Sequence, residues 1–352
     1  MSPRALSCSG APAVPDAPPL NLITDIAGIT VGHATDLALG SGVTAILFAG
    51  GATAAVSMRG GAPGSRDTEL LALDKSVEKV DGIVLSGGST FGLDAGTGVQ
   101  AALQELGRGQ SFAGITIPLA PQAILFDLRN GGSKDWGRFP PYRELGYAAA
   151  MEAAGQGSGH GFALGSVGAG TGATTPLVKG GLGSASLMSE SGHVVAAIVA
   201  VNAVGSPLVG EGPWFWSAPF ERDGEFGGRG LPARFTPDHV LPRFKGGPGT
   251  ATTIGLVATN AALTKAQAAR LASMADDGLA RAILPAHAPN DGDTVFAAAT
   301  GEVPLANPLR DLTLLGHAAT VAMARAVARA VFEAAALPYP GALPSWRDRF
   351  EG

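Results

Sequence analysis

Short apolar runs punctuated by glycine recur along this chain from Leu20 onward: Ile29 to Val31, Val43 to Phe48, Ile83 to Leu85, Val194 to Val201, Ile254 to Ala258 and Val295 to Ala299. Most have strand length and are bounded mainly by Gly, Pro, Asp or Asn. Several do not alternate with polar residues, which predicts strands buried on both faces. Between them the period lengthens to that of helices. Thr68 to Val80 sets Leu70, Leu71 and Leu73 on a partly apolar face, and Phe91 to Leu106 follows a Ser-Gly-Gly-Ser turn. Thr264 to Ala282 carries Leu271, Met274, Ala275, Leu279 and Ala282 at helical spacing, and the Ala-rich stretch Leu312 to Leu337 is long enough to cover a sheet. These elements predict a layered α/β fold with strands sandwiched by helices. Residues 1–20 read as a loose arm. Val209 to Gly249 holds Trp214, Trp216, the charged patch Glu221-Arg222-Asp223-Gly224-Glu225 and many Gly and Pro, and reads as a surface loop and linker (209–249) open to proteolysis. There is no internal repeat.

Composition narrows this picture. A chain of 352 residues can bury a sizeable core as one large domain or two modest ones. Its 52 glycines follow no Gly-X-Y period, which excludes collagen and leaves them as punctuation of strands and turns. The net charge of −5, with no Lys/Arg block, argues against a nucleic-acid partner. Cys8 is the sole cysteine, so neither a disulfide framework nor a Cys₄ metal site can form within the chain. No apolar run reaches the roughly 18–20 residues of a membrane span. The N-terminal arm lacks the continuous apolar segment of a signal peptide, so cytoplasm is the expected location. His33, His160, His193, His239, His287 and His317 are scattered without metal-site spacing, so neither a metal nor a cofactor is expected. Gly183-Ser184-Ala185-Ser186 does not fit the G-x-S-x-G elbow of a Ser–His–Asp hydrolase. Ser86-Gly87-Gly88-Ser89 opens a helix but lacks the Walker lysine and Rossmann spacing, which leaves tight backbone packing as its first reading and pocket lining as its second.

Candidate chemistry centres on Thr252. It stands where the linker ending Lys245-Gly246-Gly247-Pro248-Gly249-Thr250-Ala251 meets the apolar strand Ile254 to Ala258. That layout suits a hydroxyl nucleophile released as a new N-terminus by self-cleavage, whose α-amine, with an ordinary pKa of about 7.7–8.0, serves as the base beside it. Spacing alone also allows an ordinary strand threonine, or Thr253 one residue on.

The wider set of motifs resembles the P1 (S58) peptidases. Arg59-Gly60-Gly61-Ala62-Pro63-Gly64-Ser65-Arg66-Asp67-Thr68 is followed by Leu85-Ser86-Gly87-Gly88-Ser89-Thr90-Phe91-Gly92-Leu93-Asp94-Ala95. Then come Val167-Gly168-Ala169-Gly170-Thr171-Gly172-Ala173 and Lys179-Gly180-Gly181-Leu182-Gly183. Thr252-Thr253-Ile254, Asp276-Asp277-Gly278-Leu279-Ala280-Arg281-Ala282-Ile283 and Asn290-Asp291-Gly292-Asp293-Thr294-Val295-Phe296-Ala297 complete the series. The motifs keep the family's order from about residue 20 to 335. That family includes L-aminopeptidase/D-esterases, β-peptidyl aminopeptidases and 6-aminohexanoate-oligomer (nylon oligomer) hydrolases.

The resemblance implies an αββα sandwich similar to N-terminal nucleophile hydrolases, with distinct connectivity. It implies a single catalytic domain over 21–352, self-cleaved between Ala251 and Thr252 into parts 1–251 and 252–352. It implies hydrolysis of small amino-terminal peptides or oligoamides, with no membrane partner, by a homo-oligomer of αβ units. By the same resemblance Thr252 is the nucleophile. Lys179 is a cation that favours the neutral amine or donates to the substrate carbonyl. Asn202 is an oxyanion donor through its side chain or backbone N–H, and Asp291 and Asp293 orient the amine. Two positions depart from the pattern: Ala251 stands where relatives often carry Asn or Gly, and Phe126 stands at a substrate-binding position where the nylon branch has a tyrosine. Nylon-oligomer endo-hydrolysis, acyl transfer of the ornithine acetyltransferase type and a non-catalytic binding protein with lost processing are the rival readings.

Overall fold

The computed structural model of the chain describes residues 20–245 and 251–351. The N-terminal arm up to residue 19 and linker residues 246–250 lie outside them. The first sheet holds β1 (Ile29–Asp36), the first half of β2 (Ser41–Met58), β3 (Ser65–Arg66), β4 (Val80–Ser86) and β7 (Gln122–Ile124). A small hairpin, β5 (Gln110–Phe112) with β6 (Ile115–Ile117), stands apart. The second sheet holds β8 (Gly181–Met188), β9 (Val194–Asn202), β10 (Thr252–Ala261) and β11 (Thr294–Val303), with the second half of β2 beside β11. The helices are α1 (Ala95–Glu105), α2 (Tyr142–Gly155), α3 (Lys265–Ala282), α4 (Pro308–Phe332) and the short α5 (Trp346–Phe350).

Strand alternation builds the layers. On β9, Ala196, Ile198 and Ala200 face a core shared with Ile29, Val31, Ile46, Phe48, Ile83 and Leu85 of the other sheet. The intervening Val195, Ala197, Val199 and Val201 face a second core with Leu271, Leu279 of α3 and Leu315, Val327 of α4. Val43, Ala45, Leu47 and Val84 form a third core with Val99 of α1 and Ala149 of α2. Three cores separate four layers, α1/α2, sheet, sheet, α3/α4, which is the expected αββα sandwich with the strands buried on both faces. β2 joins the two sheets: its register shifts between Leu47 and Ala52, around Gly51 at φ +66°, a bulge only glycine adopts without strain.

Several elements differ from the apolar pattern. Thr68 to Val80 is not a helix but a single 3-10 turn, Thr68–Leu71. The Lys265 Nζ donates to the carbonyls of Leu70, Ala72 and Lys75, which a helix would bond internally. The Phe91 to Leu106 helix begins as a 3-10 turn over Ser89–Asp94 and becomes α-helical at Ala95. Helix α2 and strand β8 carry no clear apolar signal because both pack through Gly, Ala and Ser: a Cβ on Gly183 would lie 2.0 Å from the Ala326 carbonyl of α4. Within the described part of the 209–249 stretch, only residues 227–245 are mainly surface loop. Val209, Phe215 and Phe226 are buried in the core, and Phe215 stacks on Trp346.

Candidate active site

Strand directions bring the candidate residues to one end of the second sheet. β10 pairs with β11 in parallel, so their starts lie together, and Ala251 bridges to Asp291. β9 runs antiparallel to β10, so its end arrives there too, with Asn202 opposite Thr252. Alternation places Thr252 in phase with Ile254, Leu256 and Ala258, on the face between the sheets, and Thr253 on the helix-facing side. Thr252 is buried at 4% exposure. Its Oγ1 donates to the Ala251 carbonyl oxygen at 2.5 Å, and the same carbonyl accepts the Gly292 N–H at 3.1 Å.

The glycine motif after β2 straps the Asp291–Asp293 turn in place. Ala62 N–H donates to the Asp291 carbonyl at 2.7 Å, and the N–H groups of Arg59 and Gly60 reach the Asp293 carbonyl at 3.3 Å. A Cβ on Gly60 would sit 2.3 Å from the Asp293 nitrogen, so no larger residue fits that approach. Both carboxylates are buried. Burial first, then the charge of Asp293 and a hydrogen bond to it, push Asp291 far above the usual carboxylate range. Asp293 Oδ1 accepts the Thr253 N–H at 2.8 Å, one residue from the threonine hydroxyl. Its Oδ2 accepts both the backbone N–H and Nδ1 of His287, each at 3.0 Å.

Asn202 is a hub rather than a free donor. Its Nδ2 donates to the Phe126 carbonyl at 2.8 Å, while its Oδ1 accepts from Asn130 Nδ2, Thr174 N and Lys245 Nζ at 3.0, 3.1 and 2.7 Å. Phe126 thus touches the site through its backbone. Together with Asn130, Thr174, Lys245 and Tyr339 it also lines a cleft of about 460 Å³ beside Asn202. Lys179 bonds to backbone carbonyls. It is buried, and its Nζ donates to the carbonyls of Gly170, Ala173 and Gly180 at 3.1, 2.7 and 2.7 Å. Three carbonyls match the three hydrogens of an ammonium, so Lys179 stitches the Gly-rich turn that leads into β8. Burial draws it down to about 7, against the charge of Asp127. Lys245 is likewise drawn to about 7 by burial, opposed by Asp291 and Asp127.

Sequence reasoning assigned no role to Lys245, His287, Asp276, Asn130 or Gly292. Lys245 lies in a linker without periodicity. His287 lacks metal spacing, and Gly292 acts only through its backbone. The Ser86–Ser89 turn is a packing motif: the Gly88 N–H and Ser41 Oγ donate to buried Asp127 at 2.8 and 2.6 Å, and a Cβ on Gly87 would lie 2.2 Å from that carboxylate. Among the described residues no three His, Cys, Asp or Glu side chains are grouped to hold a metal, and no helix is long and apolar enough to cross a membrane.

The four layers have the architecture of the N-terminal nucleophile hydrolase fold. Two solved structures share it at a TM-score of 0.67 and 22% identity. One is a Burkholderia sp. beta-aminopeptidase, matched over 95% of this chain and 92% of its own. The other is the L-aminopeptidase D-Ala-esterase/amidase of Ochrobactrum anthropi, matched over 96% and 94% and described as a new variant among the Ntn hydrolase fold. The peptidase family S58 profile matches residues 21–341, and the chain belongs to that family; it is a hydrolase of peptide or amide bonds. An uncharacterized aminopeptidase of Mycobacterium tuberculosis is 40% identical over 357 residues, 95% of this chain and 99% of the relative. The 6-aminohexanoate-oligomer endohydrolase of Agromyces sp. is 30% identical over 291 residues, 80% of this chain and 75% of the relative.

Proposed function

We propose that the chain is a self-processing amidohydrolase that is cut between Ala251 and Thr252 and then uses Thr252 as an N-terminal nucleophile on small amino-terminal peptides or peptide-like oligoamides. The observation that carries this reading is the contact of Thr252 Oγ1 with the Ala251 carbonyl, 2.5 Å away, under the Gly292 N–H at 3.1 Å. Attack of Oγ1 on that carbonyl carbon forms a tetrahedral oxyanion, which the Gly292 N–H is aimed to stabilise. Collapse with protonation of the Thr252 nitrogen breaks the C–N bond and leaves an ester. Water then hydrolyses the ester, giving the Ala251 carboxylate and a free Thr252 amine and hydroxyl.

In the cut enzyme the neutral α-amine takes the hydroxyl proton as Oγ1 attacks a substrate amide. That amine returns the proton to the leaving amine, and water releases the acyl group by the reverse sequence. Asp293, already bonded to the neighbouring Thr253 N–H, lies where it can orient the new amine. Endo-hydrolysis of ω-amino oligomers is a second reading, favoured by the buried Asp291–Asp293 pair and by the Agromyces relative.

Intact-mass analysis and N-terminal sequencing should yield a fragment that begins Thr252-Thr253-Ile254. A terminus elsewhere, or none after long incubation of active enzyme, would refute the cut. A panel of amino-acid amides, short peptides and 6-aminohexanoate oligomers then separates the two substrate readings.

A further inference from the structure

We propose that His287, backed by Asp276, is the positioning residue that fixes the Asp293 carboxylate against the start of β10, through a buried carboxylate–imidazole–carboxylate row. The inference rests on the reading of Thr252 and the aspartate pair as the active site, and goes beyond it to a residue outside that pair. His287 takes hold of Asp293 twice, through its backbone N–H and through Nδ1, both on Oδ2 at 3.0 Å. In this role Nδ1 carries the hydrogen and the Asp293 oxygen accepts it. The grip leaves Oδ1 to the Thr253 N–H. A carboxylate held on one oxygen by two donors cannot rotate away from the other.

The far side of the ring faces Asp276 on α3. His287 Nε2 and Asp276 Oδ1 stand 3.9 Å apart, and both are buried with no hydrogen-bond partner among the described residues. Two buried polar atoms left open toward each other are costly unless they are used. A movement of about 1 Å would close them into a hydrogen bond, the kind of tightening that catalytic contacts undergo on complex formation. The other Asp276 oxygen accepts from Ser57 Oγ at 2.7 Å and lies 3.4 Å from Arg59 Nε. Asp276 is therefore anchored by the end of β2 and by the same loop that straps Asp291 and Asp293.

The charged and titratable groups facing the ring are Asp293 from the approach to β11, Asp276 from α3 and Arg59 from the loop after β2, with Asp291 one hydrogen bond beyond Asp293. Burial opposes the imidazolium, but the hydrogen bond and charge of Asp293, with the charge of Asp276, outweigh it and raise His287. The backbone matches the role: His287 sits at φ +59°, a left-handed conformation that aims both its N–H and its ring at one oxygen and that Asn tolerates better than most residues.

The test uses the full chain with ¹⁵N-labelled histidine and reads the ring nitrogens across pH. The resonance lost in His287→Asn identifies the residue. It should carry hydrogens on both ring nitrogens at neutral pH, titrate above ordinary histidine, and shift downward in both Asp293→Asn and Asp276→Asn. A His287 that titrates as ordinary histidine and ignores Asp293→Asn overturns the proposal.

Turnover of the best amide substrate supplies the second readout. His287→Leu should lower kcat by roughly 10- to 100-fold, the worth of one hydrogen bond to a charged group, with KM nearly unchanged. His287→Asn should recover most of that loss, because its amide can stand in for Nδ1 and it accepts the backbone angle. Parent-level kcat in His287→Leu overturns the proposal. If the parent chain is neither cut nor active, the reading of Thr252 falls instead, and the ring-nitrogen titration still decides the role of His287.

Discussion

At the scale of single residues, a threonine hydroxyl is a weak nucleophile, and its surroundings decide whether it reacts. Thr252 has its own upstream carbonyl at 2.5 Å, and Gly292 closes over it so tightly that a Cβ there would lie 2.7 Å from Oγ1 and 2.9 Å from the Ala62 carbonyl. Thr252→Ala should therefore stay a single chain of 35.1 kDa on a denaturing gel and hydrolyse no amide, whereas Thr252→Ser should still be cut and keep part of its turnover. Amidase activity in Thr252→Ala equal to that of the parent would mean that the reactive hydroxyl lies elsewhere. Gly292→Ala separates site from scaffold: its added methyl should slow self-cleavage at least tenfold by time-resolved intact mass while the far-ultraviolet circular dichroism stays that of the parent. Thr252 and the two aspartates are candidates in the sequence because they sit in dense motifs. The three carbonyls that hold the Lys179 ammonium were not legible, since which carbonyls surround an ammonium is a matter of chain path.

At the scale of elements, glycine does two different jobs in helices. Gly98 of α1 lets α2 approach so closely that a Cβ would meet the Arg143 carbonyl at 1.9 Å, whereas among the described residues nothing lies within 4 Å of a Cβ on Gly155 of α2. The same substitution should thus have opposite signs in urea unfolding. Gly98→Ala should destabilise by about 1–3 kcal/mol through overpacking. Gly155→Ala should be neutral or stabilise by up to about 1 kcal/mol through lower backbone entropy in the unfolded chain. Equal effects at the two positions would remove close helix packing as the reason for Gly98. Helix α3 was legible because its signals are local: Leu271, Ala275 and Leu279 repeat on one face, and Thr264 with Gln267 forms a capping box at its start. Strand β8 and helix α2 were not, because surfaces of Gly, Ala and Ser bury by close approach and leave no hydrophobic period.

At the scale of the whole molecule, burial couples the fold to pH. His33 of β1 contacts Thr44 Oγ1 of β2 at 3.0 Å and packs edge-on against Phe162, 5.6 Å between ring centroids. Burial lowers it to about 4, with its interaction with the Ala163 backbone carbonyl acting the other way. Its folded value lies below its unfolded one, so the unfolded chain binds a proton that the folded chain refuses. The stability due to neutral His33 is complete above about 6.5 and is lost as the pH falls from there through about 4. The melting temperature should decline across that window, and His33→Gln should flatten the decline; an unchanged slope in the variant would exclude His33 as its source. The sequence by itself determined which segments are strands buried on both faces, where α3 and α4 run, and, through the order of its motifs, the family. These features follow from neighbours along the chain: a period of two or 3.6, a cap, a run of glycines. Only the tertiary structure decided that β10 and β11 run parallel and so bring Ala251 beside Asp291. It alone joined His287 to Asp293 and Asp276, gave the Lys179 ammonium to three carbonyls, and set Lys245 against Asn202. Those pairings depend on strand direction and on the paths of loops between distant segments, and a buried charge takes the partners that the assembled fold places within its reach.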